Sequence, residues 1–304
     1  MGFKRSLVRI QSARPFQIAC RFPLVAVELL LNPPRFTMIL DATCQLDYLT
    51  AVDVPAIFML RPRSGLAQWI IREEFHLQPQ VPVLEYTDLY GNLCQRTVMP
   101  AGDFHLSVQY RVQVPCVVYS DETAPLMPVE NLPTEALLYL LPSRYCQSDQ
   151  LGSLAAEIIG DLPSNFQMVE RIRTWILQHV SYESGFSDSS TSALETAKLR
   201  RGVCRDFAHL GIALCRAINV PARMVVGFLH QFKPMDLHAW FEAFIGGRWF
   251  TFDAAEETTR GNRIVVAYGR DAADVALATM FGSFTLQNME VTVSEVKLGT
   301  SQGT

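Results

Sequence analysis

Cys204 is the residue of this sequence best placed to act as a nucleophile. It stands two positions after Gly202, and the apolar residues that then recur at helical spacing are Phe207, Leu210, Gly211, Leu214, Cys215 and Ile218. The spacing predicts a buried helix with Cys204 in its first turn. Free N–H groups and the helix dipole favour an anion there, and this position lowers the pKa of a cysteine. The alternative is a small buried residue, which is the commoner role of a lone cysteine.

A histidine and an aspartate are predicted to meet on a hairpin further along the chain. The pair Gly246-Gly247 predicts a two-residue turn between strands at 238–245 and 248–253. In that register His238 and Asp253 are diagonal neighbours on one face, with Cβ atoms about 7–8 Å apart. We therefore expect the carboxylate to orient the imidazole and to favour its protonated form.

These three residues would form a catalytic triad if the helix begins near the histidine. Cys204 and His238 would then make a thiolate–imidazolium pair, with Asp253 as the orienting acid. The sequence does not say which strand ends lie near the start of the helix. The N–H of Cys204 is one donor for an oxyanion. The side chains that could supply a second donor are Gln178, Tyr182 and Tyr145.

The elements that position these residues fall into a β-rich part and a mixed part. Residues 39–115 alternate with period two, and the strands that the turn signals separate are 44–49, 56–60, 69–77, 83–88, 94–98 and 104–114. Short strands without helices between them predict an antiparallel sandwich. Capping boxes at Ser164-x-x-Gln167 and Ser192-x-x-Glu195 predict two helices ahead of the Cys204 helix, and Gly202 is predicted to end the second. Further strands are predicted at 222–229 and 290–298.

The predicted fold class is α+β, with an N-terminal antiparallel β-sandwich followed by helices packed on an antiparallel sheet. The predicted division is an extension at 1–37, the sandwich at 38–120, a linker at 121–150, a catalytic domain at 151–298 and a tail at 299–304. The extension is basic and lacks the strand pattern, so we expect Met38 to be the natural start. A disordered or docking tail is the alternative.

Charge and cysteine content limit the binding partners and the cellular compartment to be expected for this protein. The 304 residues carry a net charge of −4, which gives no reason to expect nucleic acid or an anionic membrane. The seven cysteines are widely spread and include no Cys-x-x-Cys, a usage typical of a reduced, cytoplasmic protein rather than of a disulfide framework or a zinc site. No calcium-loop motif is present, so we expect no metal and no cofactor.

Three segments resemble the transglutaminase-like, papain-related superfamily. The segment Gly202-Val203-Cys204-Arg205-Asp206-Phe207-Ala208 is similar to its nucleophile segment. Asp236-Leu237-His238-Ala239-Trp240 and Trp249-x-x-x-Asp253 resemble its histidine and aspartate strands. The similarity covers about residues 151–256, and residues 39–115 resemble the N-terminal region found with this domain in bacterial members.

The resemblance implies a papain-like core and cysteine-dependent acyl transfer from an amide. It assigns Cys204 as the nucleophile, His238 as the general base and acid, and Asp253 as the orienter. We expect a peptide or protein amide as substrate, with Trp240 and Tyr145 in contact with it. Hydrolysis is preferred because it needs only water, whereas amine transfer needs a second site that excludes water. Amine transfer by the same triad and a non-catalytic binding module on the same fold are the alternatives.

Overall fold

The computed structural model describes residues 37–65, 68–232 and 236–296, and within those ranges it contains three antiparallel four-stranded sheets, one parallel two-stranded sheet and five α-helices. The strands are β1 (Thr37–Thr50), β2 (Val54–Arg61), β3 (Trp69–Gln78), β4 (Leu84–Thr87), β5 (Leu93–Met99), β6 (Gly102–Pro115), β7 (Ser181–Tyr182), β8 (Arg201–Gly202), β9 (Ala222–Leu229), β10 (Leu237–Ile245), β11 (Arg248–Phe252), β12 (Arg263–Gly269), β13 (Ala278–Met280) and β14 (Thr285–Glu295). The helices are α1 (Thr134–Leu137), α2 (Gly152–Ile159), α3 (Phe166–His179), α4 (Ala193–Leu199) and α5 (Cys204–Ala217). The predictions for residues 1–36 and 299–304 lie outside the described residues.

Two of the sheets form the predicted antiparallel sandwich. One has the strand order β14-β1-β6-β3 and the other the order β13-β2-β5-β4. The six strands predicted between residues 39 and 115 are all present, as β1 to β6. Phe58 of β2 meets rings of the facing sheet, with centroids 6.2 Å from Tyr48 and 6.3 Å from Phe104. The alternating apolar residues therefore form the inner faces, as the pleat of a strand requires.

The last two strands complete this sandwich, although the sequence predicted a catalytic domain that extends to residue 298. Strand β13 pairs with β2, and β14 pairs with β1 over most of its length. A strand was predicted at 290–298, and β14 begins five residues earlier, at Thr285. The pattern of a segment predicts that it is a strand but carries no mark of its partner, so this pairing was not foreseen.

The third sheet has the order β11-β10-β9-β12 and carries helix α5 on one face. Helix α5 is buried along almost its whole length, as its apolar spacing predicted. Its Gly211 faces the ring of Phe241 on β10, and a Cβ at that position would lie 2.5 Å from a ring carbon. The absence of a side chain lets the helix lie directly on the sheet, and this contact sets the height of Cys204 above the strands.

One of the two predicted capping boxes is present. At the start of α4, the Ser192 side chain accepts a hydrogen bond from the N–H of Glu195, and the Glu195 carboxylate accepts one from the N–H of Ser192. The box predicted at Ser164-x-x-Gln167 is wrong. Helix α3 is capped by the neighbouring residue Asn165, whose side chain accepts from the N–H of Gln167 at 3.0 Å. Both residue types cap helices well, so the pattern did not distinguish them.

Gly202 has a different role from the predicted one. Helix α4 ends at Leu199, and Arg200 rather than Gly202 takes the left-handed conformation, with φ 56°. Gly202 lies in β8, where a Cβ would stand 2.8 Å from the Cβ of Asp206. The glycine therefore makes room for the first turn of α5 and for the carboxylate that caps it.

Two amide side chains of the sandwich cover the outer edge of β12. Gln68 exchanges hydrogen bonds of 2.7 and 2.8 Å with the backbone of Val265. Asn92 does the same with the backbone of Tyr268, at 2.7 and 2.8 Å. These bonds satisfy the backbone groups that an edge strand leaves unpaired. They also fasten the sandwich to the strand that begins with Arg263.

Candidate active site

His238 and Asp253 meet across the predicted hairpin. Ile245 pairs with Arg248, so Gly246-Gly247 form a two-residue turn, and both glycines have positive φ angles of 55° and 87°. The two side chains lie on one face, and His238 Nε2 is 2.7 Å from Asp253 Oδ2. The predicted register and the predicted contact are therefore confirmed.

Three neighbours donate hydrogen bonds to the carboxylate of Asp253 and hold it as an anion. Its Oδ2 accepts from His238 Nε2 and, at 2.8 Å, from Arg263 Nη1, while Oδ1 accepts from the N–H of Ala255 at 3.0 Å. Its own N–H donates to Thr259 Oγ1 at 3.1 Å. Burial by itself would raise the pKa of this carboxyl, but the charges of Arg263 and His238 outweigh it and hold the pKa well below its usual range.

His238 is buried, with only 1% of its surface exposed. Its ring lies between Phe232 and Trp240, at centroid distances of 4.3 and 6.0 Å. Burial lowers the pKa of His238, but Asp253 and the neighbouring Cys204 thiol together raise it to about 9. Nε2 is bonded to Asp253, and Nδ1 is buried without a hydrogen-bond partner among the described residues. Nδ1 is therefore the ring nitrogen available to exchange a proton with the thiol.

Cys204 is the first residue of α5, as predicted, and its side chain lies beside His238. Asp206 Oδ2 accepts a hydrogen bond from the N–H of Val203 at 2.9 Å, which closes the start of the helix. The carboxylate of Asp206 is thus used by the helix cap, a common role for an acid in the first turn. Cys204 stands at the positive end of the helix dipole and is 9% exposed.

Tyr182 is the side chain that the fold brings to Cys204. Strand β7 pairs in parallel with β8, which sets Tyr182 beside Gly202, and its phenol lies close to the thiol and the backbone N–H of Cys204. Burial and the Cys204 thiol raise the pKa of Tyr182 to about 12, so the phenol keeps its proton at neutral pH. Of the other two candidate donors, Gln178 is exposed on α3, and the hydroxyl of Tyr145 donates to the carbonyl of Ser189 at 2.7 Å.

The two residues predicted to bind substrate lie in different surroundings. Trp240 is 1% exposed and supports His238 from within the sheet, with the guanidinium of Arg263 4.9 Å from its ring centre. Tyr145 stacks on the buried ring of His209 at 5.0 Å, and its N–H donates to Asp271. The substrate-binding role of Trp240 and Tyr145 stays a prediction.

Two arginines at the site were not foreseen. Arg263 bonds directly to Asp253, and Arg173 of α3 donates to the backbone carbonyls of Asp253 and Glu256, at 3.3 and 2.8 Å. A charged residue at the start of the apolar run 264–267 was the available signal for Arg263, but the pattern around it was weak. Arg173 lies within an amphipathic helix and has no such signal.

Neither a metal-ligand cluster nor a membrane-spanning helix is found in the described part of the chain. In residues 37–65, 68–232 and 236–296, no group of three or more His, Cys, Asp and Glu side chains is arranged to hold a metal ion. No helix in those ranges has the length and apolar character needed to cross a bilayer. The cytoplasmic localisation stays a prediction.

Comparisons with known proteins show the family to which this chain is related. The model of the transglutaminase-like superfamily matches residues 152–254, a segment that includes Cys204, His238 and Asp253. A solved structure from Cytophaga hutchinsonii, titled a "Putative Cysteine Protease", is 34% identical and has a TM-score of 0.80, covering 87% of this chain and 92% of its own.

Two mycobacterial relatives extend the similarity across most of the chain. An uncharacterized protein of Mycobacterium leprae is 25% identical over 258 residues, which are 79% of this chain and 90% of that relative. An uncharacterized protein of Mycobacterium tuberculosis is 29% identical over 250 residues, which are 71% of this chain and 77% of that relative. The similarity to these relatives is therefore not confined to residues 152–254.

Proposed function

Because the chain belongs to the transglutaminase-like superfamily, we propose that it is a cysteine-dependent hydrolase of a peptide or protein amide bond. The family and the neighbour described as a cysteine protease support a cysteine-dependent enzyme. The proposal is based on three buried side chains that contact one another in turn. Cys204 lies beside His238, and His238 Nε2 is bonded to Asp253 at 2.7 Å. This arrangement suits nucleophilic catalysis by a thiolate.

The reaction begins with the thiolate of Cys204 attacking the carbonyl carbon of the amide. The electron pair of the C=O bond moves to oxygen and gives a tetrahedral oxyanion. When the C–N bond breaks, the His238 imidazolium donates its proton to the leaving amine, and a thioester remains on Cys204. Neutral His238 then takes a proton from a water molecule, whose oxygen attacks the thioester carbonyl. The C–S bond breaks, the carboxylic acid is released, and the Cys204 thiolate is restored beside the imidazolium.

Tyr182 is the second donor to the oxyanion in this mechanism. Its hydroxyl stays protonated at neutral pH, and it lies against the backbone N–H of Cys204, which is the first donor. A substrate oxygen placed between the phenol and this N–H would receive both hydrogen bonds. Donors placed where negative charge develops contribute much of the rate in acyl transfer.

Hydrolysis is proposed ahead of amine transfer because water alone completes the reaction. Amine transfer would need a second binding site that keeps water away from the thioester. The two outcomes differ in the product, since hydrolysis leaves a carboxylic acid and transfer leaves the acyl group on an added amine.

The test is to incubate the full chain with a library of peptide amides and with casein, with and without cadaverine. We expect mass spectrometry to show carboxylic acid products that are absent with Cys204→Ala. Products that carry cadaverine would show that the enzyme catalyses amine transfer rather than hydrolysis. Products that persist in Cys204→Ala would contradict both.

The reactivity of the Cys204 thiol distinguishes an enzyme from a non-catalytic binding module. In a Cys116→Ser background, which removes another partly exposed thiol, we expect iodoacetamide to label Cys204 quickly at pH 6. A thiol that needs about pH 8.5 or above for labelling is an ordinary cysteine and would favour a scaffold or binding module.

A further inference from the structure

Arg263 is a buried cation bonded to the carboxylate that orients His238. Its Nη1 donates to Asp253 Oδ2 at 2.8 Å, and this is the same oxygen that His238 Nε2 reaches at 2.7 Å. The Arg263 side chain is 6% exposed, and its Nε donates to the carbonyl of Arg260 at 2.7 Å. The guanidinium and the imidazole therefore share one acceptor in a site that water hardly reaches.

The other charged groups around this pair are already occupied. On α3, Arg173 faces the Asp253 backbone, and its guanidinium forms an ion pair with Glu170 at 2.6 Å. In the loop after β11, Glu256 forms an ion pair with Arg260 at 2.7 Å. On α5, the group that faces His238 is the thiol of Cys204. Among the described residues, Arg263 is thus the cation besides His238 that bonds directly to the Asp253 carboxylate.

We propose that Arg263 is a positioning residue that neutralises Asp253 and thereby lets His238 release its proton during the reaction. The inference rests on the proposed function and adds a fourth member to the line of Cys204, His238 and Asp253. Arg263 does not touch the reacting atoms, and it acts only through Asp253.

The reason is the charge balance of the buried site. With Arg263 present, the site is neutral when thiolate faces imidazolium, and it is also neutral when His238 has given its proton to the leaving amine and Cys204 is acylated. Without Arg263, proton release would leave the Asp253 carboxylate as an uncompensated charge in a buried site, which is unfavourable. His238 would then hold its proton, and it could serve poorly as an acid for the amine or as a base for water.

The experiment measures how fast iodoacetate, an anion, alkylates Cys204 between pH 5 and pH 11 in the full chain. Imidazolium beside the thiolate attracts this reagent, so the alkaline fall in rate reports loss of the His238 proton. In the wild-type protein we expect this fall near pH 9. In Arg263→Gln we expect it to move upward by about one pH unit or more, because a compensating cation has been removed. Arg263→Lys keeps the charge and should restore the wild-type position.

A matched control removes a different, half-buried arginine of the same sheet. Arg223 bonds to Glu242 at 2.6 and 2.8 Å, and Glu242 lies four residues beyond His238 on β10, about 13 Å along the strand. Arg223→Gln should lower the melting temperature without moving the alkaline fall. A shift equal to that of Arg263→Gln would show a general effect of lost charge and would overturn the inference.

Variants that fail to fold, or that leave the alkaline fall in place, also test the inference. If Arg263→Gln does not fold, Arg263→Met, whose apolar stem can pack on Trp240, takes its place. If neither neutral variant folds while Arg263→Lys does, the arginine is structural and the inference is wrong. An unmoved alkaline fall in a folded neutral variant overturns the inference alone, whereas a wild-type protein without any imidazolium-dependent alkylation overturns the proposed function itself.

Discussion

Asp253 Oδ2 lies 2.7 Å from His238 Nε2, and the two residues stand on either side of a two-residue turn, each with only 1% of its surface exposed. The contact joins a carboxylate whose pKa is held low to an imidazole whose pKa is raised to about 9. At neutral pH the site therefore favours the imidazolium, which is the form that stabilises a neighbouring thiolate.

Substitutions in the proposed triad should differ in their effect on turnover. Cys204→Ala should abolish it, because no other group supplies the nucleophile, and His238→Ala should nearly abolish it. Asp253→Asn should lower kcat by about 10²–10⁴-fold, because the imidazole loses its orienting charge. The measurement is kcat with the amide identified by product profiling. Asp271→Asn, at another buried carboxylate, is the control and should retain kcat. Equal kcat for Asp253→Asn and the wild-type protein would remove Asp253 from the mechanism.

The stability that His238 contributes should depend on pH in one direction. Its pKa is raised from 6.5 to about 9 in the folded chain, so the stabilisation is fully present below about pH 6.5 and is lost as the pH rises to about 9. The difference in unfolding free energy between wild type and His238→Ala should therefore shrink over this range, by roughly 3 kcal/mol at most. Urea unfolding at several pH values measures it.

His209 provides a contrast of opposite sign. Burial lowers the pKa of this residue to about 4, so the neutral ring is favoured and the folded chain loses stability as the pH falls from 6.5 towards 4. The gap between wild type and His209→Gln should shrink towards acid, whereas the His238→Ala gap shrinks towards base. Two gaps that change in the same direction would contradict the assigned protonation states.

Tyr182→Phe should lower kcat and leave KM nearly unchanged. The substitution removes one hydroxyl that is proposed to bond to the oxyanion, which forms only in the transition state. The expected loss is about 10²-fold, at the lower end for a single oxyanion donor. Steady-state kinetics measures this loss. The control is Tyr86→Phe on β4 of the sandwich, which should leave kcat unchanged. A raised KM with unchanged kcat would show that the phenol binds substrate instead.

Gly211→Ala should destabilise the protein, although alanine normally favours a helix by about 1 kcal/mol over glycine. The new Cβ would lie 2.5 Å from the buried ring of Phe241, so the helix or the ring must move. Overpacking of this kind costs about 1–3 kcal/mol. The control is Gly152→Ala in α2, where a Cβ meets nothing within 4 Å. Urea unfolding should separate the two variants, and a Gly211→Ala protein as stable as wild type would show that α5 does not rest on this contact.

The contact between His238 and Asp253 could be predicted because a tight turn determines register locally. Gly246-Gly247 allow a two-residue turn, and the period of two along each strand then decides which side chains share a face. The start of α5 at Cys204 was equally accessible, because its apolar spacing is that of one buried helix. The wrong cap at Ser164 and the wrong role of Gly202 show the limit, since neighbouring residues of similar type compete for the same local function.

Local patterns were thus enough to predict the type of each element and the pairing of strands joined by a short turn. The packing of the folded chain was needed to show that Cys204 stands beside His238, that the Tyr182 phenol lies at the nucleophile, and that Arg263 bonds to Asp253. The same holds for the return of β14 to β1. Each of these contacts joins segments whose approach depends on how whole layers pack, and burial of apolar faces is non-directional, so no local pattern records which partner a segment will meet.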